Sequence, residues 1–206
     1  MTDRRPIASR ETGWARGLTR ALARTSVTPN QISIASMGFA ALAGVGFYLG
    51  VGAEGWARVV LLLLAALCCQ LRLICNLMDG LVAVEAGKGT PDGAFWNEAP
   101  DRVSDILILT GIGYGIGLPG LGWAASALAV STAYIRELGR AATGENDFCG
   151  PMAKPHRMAV ITLAAVLAAF WTVAPVLQGA LWVVAIGAAA TALRRSYRMI
   201  DRLKAE

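Results

Sequence analysis

Six apolar runs, each close to the length that crosses a bilayer, constrain this chain more than any other feature. They occupy residues 31–52, 57–84, 94–117, 119–137, 157–177 and 179–193, and a hydrocarbon core of about 30 Å calls for roughly 20 consecutive apolar residues of helix. With 55% hydrophobic and only 16% charged residues in a chain of 206, the expectation is an all-α integral membrane protein of one domain, 1–206. Residues 29–206 would form a bundle of six transmembrane helices, and 1–28 a cytoplasmic segment lying along the interface. In that segment "WARGLTRALAR" sets Trp14, Leu18, Ala21 and Leu22 on one helical face and arginines around the rest, the pattern of an interfacial amphipathic helix.

Lys and Arg near the ends of spans stay in the cytoplasm. Arg4, Arg5, Arg10, Arg16, Arg20 and Arg24 precede the first run, Lys88 follows the second, Arg136, Arg140, Lys154 and Arg157 surround the connection between the fourth and fifth, and Arg194, Arg195, Arg198, Arg202 and Lys204 follow the last. The alternate connections, "GVGAEGW", "GIGLPGLG" and "VAPVLQG", are almost free of positive charge. Both termini are therefore expected in the cytoplasm. The net charge of +5 reads as this topological bias, with attraction to anionic membrane lipids or a nucleotide substrate as an added effect, and no nucleic-acid partner is expected.

One stretch breaks the apolar pattern. "ICNLMDGLVAVEAGKGTPDGAFWNEAPDRVSD", residues 74–105, carries Asn, Asp, Glu, Lys and Arg at what should be the cytoplasmic edge of the second and third spans. Ionisable groups at membrane depth are costly, so they face a bundle interior or a water-filled cavity and usually serve a function. Residues at helical spacing share a face. Arg72, Asn76, Asp79 and Ala83 make one stripe, and Gly93, Asn97, Asp101 and Asp105 another. Two adjacent antiparallel helices joined by "VEAGKGTPD" would aim these stripes at each other, around a cavity lined by carboxylate and amide oxygens. Such a donor set suits a hard divalent cation rather than zinc or copper. A polar network that merely locks helix packing is the plainer reading. Against it, Gly80, Ala83 and Gly93 thin the wall where a ligand would need room. The cysteines Cys68, Cys69, Cys75 and Cys149 lack zinc-like spacing and read as packing residues, and the sole histidine, His156, reads as a loop residue.

The order and spacing of these residues resemble the signature of the CDP-alcohol phosphotransferase family, D-x-x-D-G-x-x-A-R, eight residues, then G-x-x-x-D-x-x-x-D. Here it stands as Asn76-x-x-Asp79-Gly80-x-x-Ala83-Val84, eight residues, then Gly93-x-x-x-Asn97-x-x-x-Asp101. "TPNQIS" at 28–33, "YIRELGRAATG" and "GPMAKPHRM" also resemble family segments, so the likeness covers most of the chain. The resemblance implies a phospholipid-synthesis transferase in the bacterial cytoplasmic membrane, its active site facing the cytoplasm. It would move a phosphatidyl group from a CDP-linked donor, such as CDP-diacylglycerol, to a small polar alcohol, releasing CMP with the help of Mg or Mn. By analogy Asn76, Asp79, Asn97 and Asp101 would be the metal positions, and Asp101 a ligand or the general base. Gly80, Ala83 and Gly93 would admit the cytidine diphosphate, and Arg136, Lys154 and Arg157 would hold anionic groups of donor or acceptor. A homodimer is also implied, with small residues in "ALAGVG" and "GIGYGIG" to permit close helix packing.

Three positions depart from the pattern. The family's four aspartates balance two divalent ions; Asn76 and Asn97 leave two carboxylates, and Val84 replaces an arginine. Metal affinity should fall. Glu98 and Asp105 would restore charge if the working site were shifted by one turn, making Asp101 and Asp105 the catalytic pair; Asp105 as a packing residue is the alternative. Two rival functions follow: a catalytically impaired relative that binds CDP-lipid or phospholipid without turnover, and a small transporter. Intramembrane charge that clusters at one edge instead of crossing speaks against the transporter.

Overall fold

The computed structural model describes residues 12–171 and 173–205. Among the described residues all regular structure is helical: α1 (Gly13–Ala23), α2 (Pro29–Gly52), α3 (Gly55–Glu85), α4 (Gly93–Gly115), α5 (Pro119–Thr143), α6 (Lys154–Phe170) and α7 (Val173–Ala205). Arg4, Arg5 and Arg10, and with them the first part of the interfacial segment, lie outside the described residues.

Local chemistry sets several helix ends. Thr28 caps α2 by accepting from the Gln31 backbone N–H while the Gln31 side chain accepts from the Thr28 N–H, a reciprocal capping box, and Pro29 occupies the first turn, where its missing N–H costs nothing. Gly144, at φ 72°, takes the left-handed conformation that ends α5. The chain breaks between α6 and α7 at Trp171, several residues earlier than the 177–179 boundary expected from hydropathy. Pro175 does not stop α7 because it sits in that helix's first turn.

α2, α3 and α7 are long and apolar enough to cross a membrane by length and composition. Two of the other expected spans fall short for visible reasons. α4 carries Glu98, Asp101, Arg102 and Asp105 in one half, and α6 has only 17 residues. Exposed Tyr48, Trp56, Tyr114, Trp123 and Trp171 all fall at the bundle end remote from these charges, as an interfacial aromatic belt would.

The expectation that α3 and α4 lie side by side needs correction. α2 packs along both of them, and α3 and α4 touch each other over only a short length. Glycines make this wedge possible. A Cβ at Gly111 of α4 would stand 2.5 Å from the Gly44 Cα of α2, so the two backbones cross in contact. Gly113 of α4 meets Gly122 of α5 almost as closely. The small residues of "ALAGVG" and "GIGYGIG" thus serve packing within the chain. α5 packs on α7, and α6 on α3 and α7, around a core that includes Phe47, Leu62, Ile108, Ile112, Met158, Ile161, Leu177 and Leu181. On α1, Ala15 and Thr19 are buried against α3, while Trp14 and Leu18 remain exposed.

Candidate active site

The polar residues gather where α3 ends and α4 and α6 begin. Their arrangement starts with Arg72, whose side chain is completely buried one turn before Asn76 on α3. A guanidinium in such a place must be paired. Its Nη2 donates to Asp105 Oδ1 at 3.0 Å, to the Asp101 carbonyl at 3.1 Å and to Asp101 Oδ1 at 3.4 Å. From the other side Arg157 Nη2 donates to Asp105 Oδ2 at 2.6 Å, and Arg157 Nη1 to the Met152 carbonyl at 2.9 Å. Asp105 is thereby enclosed between two arginines with both oxygens engaged.

Asp101, one turn earlier on α4, keeps 16% of its side chain exposed. Its Oδ1 also accepts from the Asn76 amide, and its Oδ2 is paired with Lys154 Nζ. Lys154 is the first residue of α6, where the helix dipole disfavours a cation; the Asp101 carboxylate offsets that. Asp79 is buried, accepts from the Ser33 hydroxyl at 2.7 Å and from the Gly80 N–H at 2.5 Å, and has no Lys or Arg within salt-bridge distance among the described residues. Lys154 and Asp101 are close enough to act on it electrostatically. Beside it Gly80 faces open space: a Cβ there would meet nothing within 4 Å.

The structure therefore brings Asn76, Asp79, Asp101, Asp105, Lys154 and Arg157 to one cluster, with Gly80 next to Asp79 in the chain. Ala83 lies half-buried a turn beyond Asp79, Gly93 half-buried at the start of α4, and Asn97 exposed on α4, making none of these contacts. Arg136 is placed differently from a free anion receptor. Its Nη2 donates to both Glu98 oxygens at 2.7 and 2.6 Å and to Glu137 at 2.8 Å, tying α5 to α4. His156 falls in the first turn of α6 and is exposed.

Three participants went unassigned in the sequence. Arg72 stood in the right stripe but without a role; its spacing of four from Asn76 was the signal. Ser33 lay in "TPNQIS". Arg195 carried no signal, because an arginine after an apolar run reads as a topology determinant. It anchors the 144–153 connection, donating from Nε to the Cys149 carbonyl at 2.9 Å and from Nη1 to the Thr132 carbonyl at 2.6 Å. The same connection is held by Thr191, which accepts from the Met152 N–H at 2.9 Å, and by Arg198, 2.8 Å from Asp147. Burial opposes ionisation of Asp147. The Cys149 N–H and thiol together with Arg198 and Arg202 outweigh it, holding the carboxyl below its ordinary range. This anchored loop delivers Lys154 to Asp101.

No family model matches the sequence. Among curated proteins it is 26% identical to the phosphatidylinositol phosphate synthase of Mycolicibacterium smegmatis over 190 residues, covering 88% of this chain and 81% of that one. It is 32% identical over 151 residues to the bifunctional IPC transferase and DIPP synthase of Rubrobacter xylanophilus, but that match takes in only 32% of the longer protein. The fold matches crystal structures of Mycobacterium tuberculosis phosphatidylinositol phosphate synthase. The form with CDP-DAG bound gives a TM-score of 0.73 at 22% identity, over 89% of this chain and 92% of that one. The form with manganese and citrate gives 0.73 at 21%, over 89% and 87%. These likenesses relate the chain, in sequence and in fold, to phosphatidylinositol phosphate synthases. Its relatives are enzymes of the CDP-alcohol phosphotransferase type.

A divalent ion would take Asp79 and Asp101 as carboxylate ligands with the Asn76 amide oxygen. To do so it would have to displace Lys154 from Asp101 and turn the Asn76 amide over, since its NH2 now faces Asp101. Among the described residues no group of three or more His, Cys, Asp and Glu is arranged to hold a metal. The residues as they stand do not fit the ion pair that the family signature implies.

Proposed function

We propose that the chain is a membrane transferase that moves a phosphatidyl group from a CDP-lipid, CDP-diacylglycerol being the expected donor, to a small polar or phosphorylated alcohol, with release of CMP. One observation carries the reading: Asn76, Asp79 and Asp101 keep the family spacing and converge with Lys154 at one end of the bundle, beside the open space at Gly80. The acceptor hydroxyl oxygen would form a bond to the phosphorus bearing the diacylglycerol. The bond from that phosphorus to the CMP oxygen would break, with CMP leaving on the electron pair. Asp101, whose side chain is still partly exposed, would take the hydroxyl proton.

The finer topology is part of the same proposal. All six bundle helices would span the bacterial cytoplasmic membrane, with both termini and the site on the cytoplasmic side. The segregated arginines and the aromatic residues at the opposite end support this orientation. A homodimer is expected by resemblance, with the open face of α2 around Gly38, lined by Ala35, Phe39 and Leu42, as the surface for it.

A second reading, binding of CDP-lipid without turnover, is favoured by the engagement of both Asp101 oxygens. Release of radiolabelled CMP from CDP-diacylglycerol by the purified protein, across a panel of alcohols including phosphorylated ones, decides between them. Turnover with one acceptor supports the transferase; binding of CDP-diacylglycerol with no CMP released under any condition establishes the second reading.

A further inference from the structure

We infer that the ammonium of Lys154 is a tethered cation standing where the family signature implies a divalent ion, so that this site receives the donor's diphosphate without a metal. The inference deepens the transferase reading and rests on it for the identity of the ligand.

Three observations converge. The charge of the cluster is already balanced: Asp79, Asp101 and Asp105 face Arg72, Lys154 and Arg157, three negative and three positive groups. A pair of divalent ions would leave a large positive excess. The two neutral positions, Asn76 and Asn97, remove the carboxylates that such ions would require, and the Asn76 amide is turned to donate to Asp101. Finally, the three cations differ in freedom. Arg157 is buried and its guanidinium is bound to Asp105 and Met152, and Arg72 is sealed in the core, whereas Lys154 retains 30% of its side-chain exposure. A flexible four-carbon stem lets an ammonium exchange one anion for another. Swinging from Asp101 Oδ2 to an arriving diphosphate, Lys154 would neutralise the donor and release the carboxylate that takes the acceptor proton. Both events need only the residues present.

The test uses the full-length protein in lipid nanodiscs, with two readouts. Electron paramagnetic resonance of Mn2+ measures metal binding, and CDP-diacylglycerol binding is measured with EDTA and with millimolar Mg2+. The wild type is expected to bind Mn2+ only in the millimolar range and to bind CDP-diacylglycerol with an affinity that changes less than twofold between EDTA and Mg2+. Lys154→Gln should lose at least tenfold in CDP-diacylglycerol affinity in EDTA and gain at least tenfold in Mn2+ affinity, because Asp101 is freed. Lys154→Arg, which keeps the charge, should retain metal-independent binding, and so separates loss of the cation from misfolding. Micromolar Mn2+ binding by the wild type, or CDP-diacylglycerol binding abolished by EDTA and restored by Mg2+, overturns the inference. Failure of the wild type to bind CDP-diacylglycerol in either buffer overturns the choice of ligand, and the Mn2+ readings then decide by themselves whether Lys154 holds the metal's place.

Discussion

Asp101 and Asp105 stand one turn apart on the same face of α4, yet their surroundings set them to different tasks. Asp105 is buried with both oxygens on arginines that are themselves buried, one from α3 and one from α6. Asp101 is open to one side and paired with the partly exposed side chain of Lys154. The same carboxylate is a rivet in one place and an exchangeable partner in the other. What separates them is depth, not sequence motif: a charge fully removed from water must be permanently compensated, while one at the rim can change partners.

The contrast can be broken most forcefully at Asp105. Asp105→Ala leaves Arg157 buried without a counter-ion and Arg72 with Asp101 alone, 3.4 Å away, and should cost about 3–5 kcal/mol, read as a large drop in thermal unfolding midpoint in detergent or as failure to express. Asp101→Asn should move that midpoint little but reduce CMP release by roughly 10²-fold or more, as expected for loss of a general base. If the two variants show the same balance of stability and activity, the distinction between rivet and rim is wrong. Gly80 sharpens the picture of the open side. Gly80→Ala should fold at least as well as the wild type, gaining up to ~1 kcal/mol of helix propensity, because nothing lies within 4 Å of the new Cβ. Gly80→Leu should fold too, but lose at least about tenfold in CDP-diacylglycerol affinity, roughly 1.4 kcal/mol, measured by equilibrium binding.

The smallest effect is expected at the loop that delivers Lys154. Asp147 has its carboxyl held below the ordinary range, so its contribution to folding is present above the unfolded value of about 3.9 and is lost as pH falls through the lower folded value. Unfolding midpoints followed between neutral and acid pH should therefore decline less steeply for Asp147→Asn than for the wild type; parallel curves would remove Asp147 from the account.

Much of the site was legible because helical spacing is a rigid ruler. Asn76, Asp79, Asp101 and Asp105 had to project from matching faces once α3 and α4 were helices, and the capping box of Thr28 and Gln31 marks the start of α2 in the letters themselves. What periodicity does not carry is which helix neighbours which. α2 is apolar on every side, so nothing in its pattern announced that it would wedge between α3 and α4; that arrangement depends on Gly44 meeting Gly111, a contact between residues remote in sequence. For the same reason the partners of Asp105 were hidden. Arg157 read as a cation for anionic groups of donor or acceptor and Arg72 as one member of a stripe, and only their burial on opposite sides of α4 makes them a clamp. Hydropathy also misplaced the α6–α7 break, because the apolar run continues past Trp171 into α7, whose first turn tolerates Pro175.

In the proposed transferase a diphosphate enters the cluster of Asp79, Asp101 and Lys154 beside Gly80. The most direct measurement is an experimental structure of the chain with CDP-diacylglycerol bound. The diphosphate is expected within hydrogen-bond distance of Lys154 Nζ, with the ammonium withdrawn from Asp101 and the cytidine passing the Gly80 face. A nucleotide bound elsewhere in the bundle, or a diphosphate that leaves the Lys154–Asp101 pair intact, would contradict it.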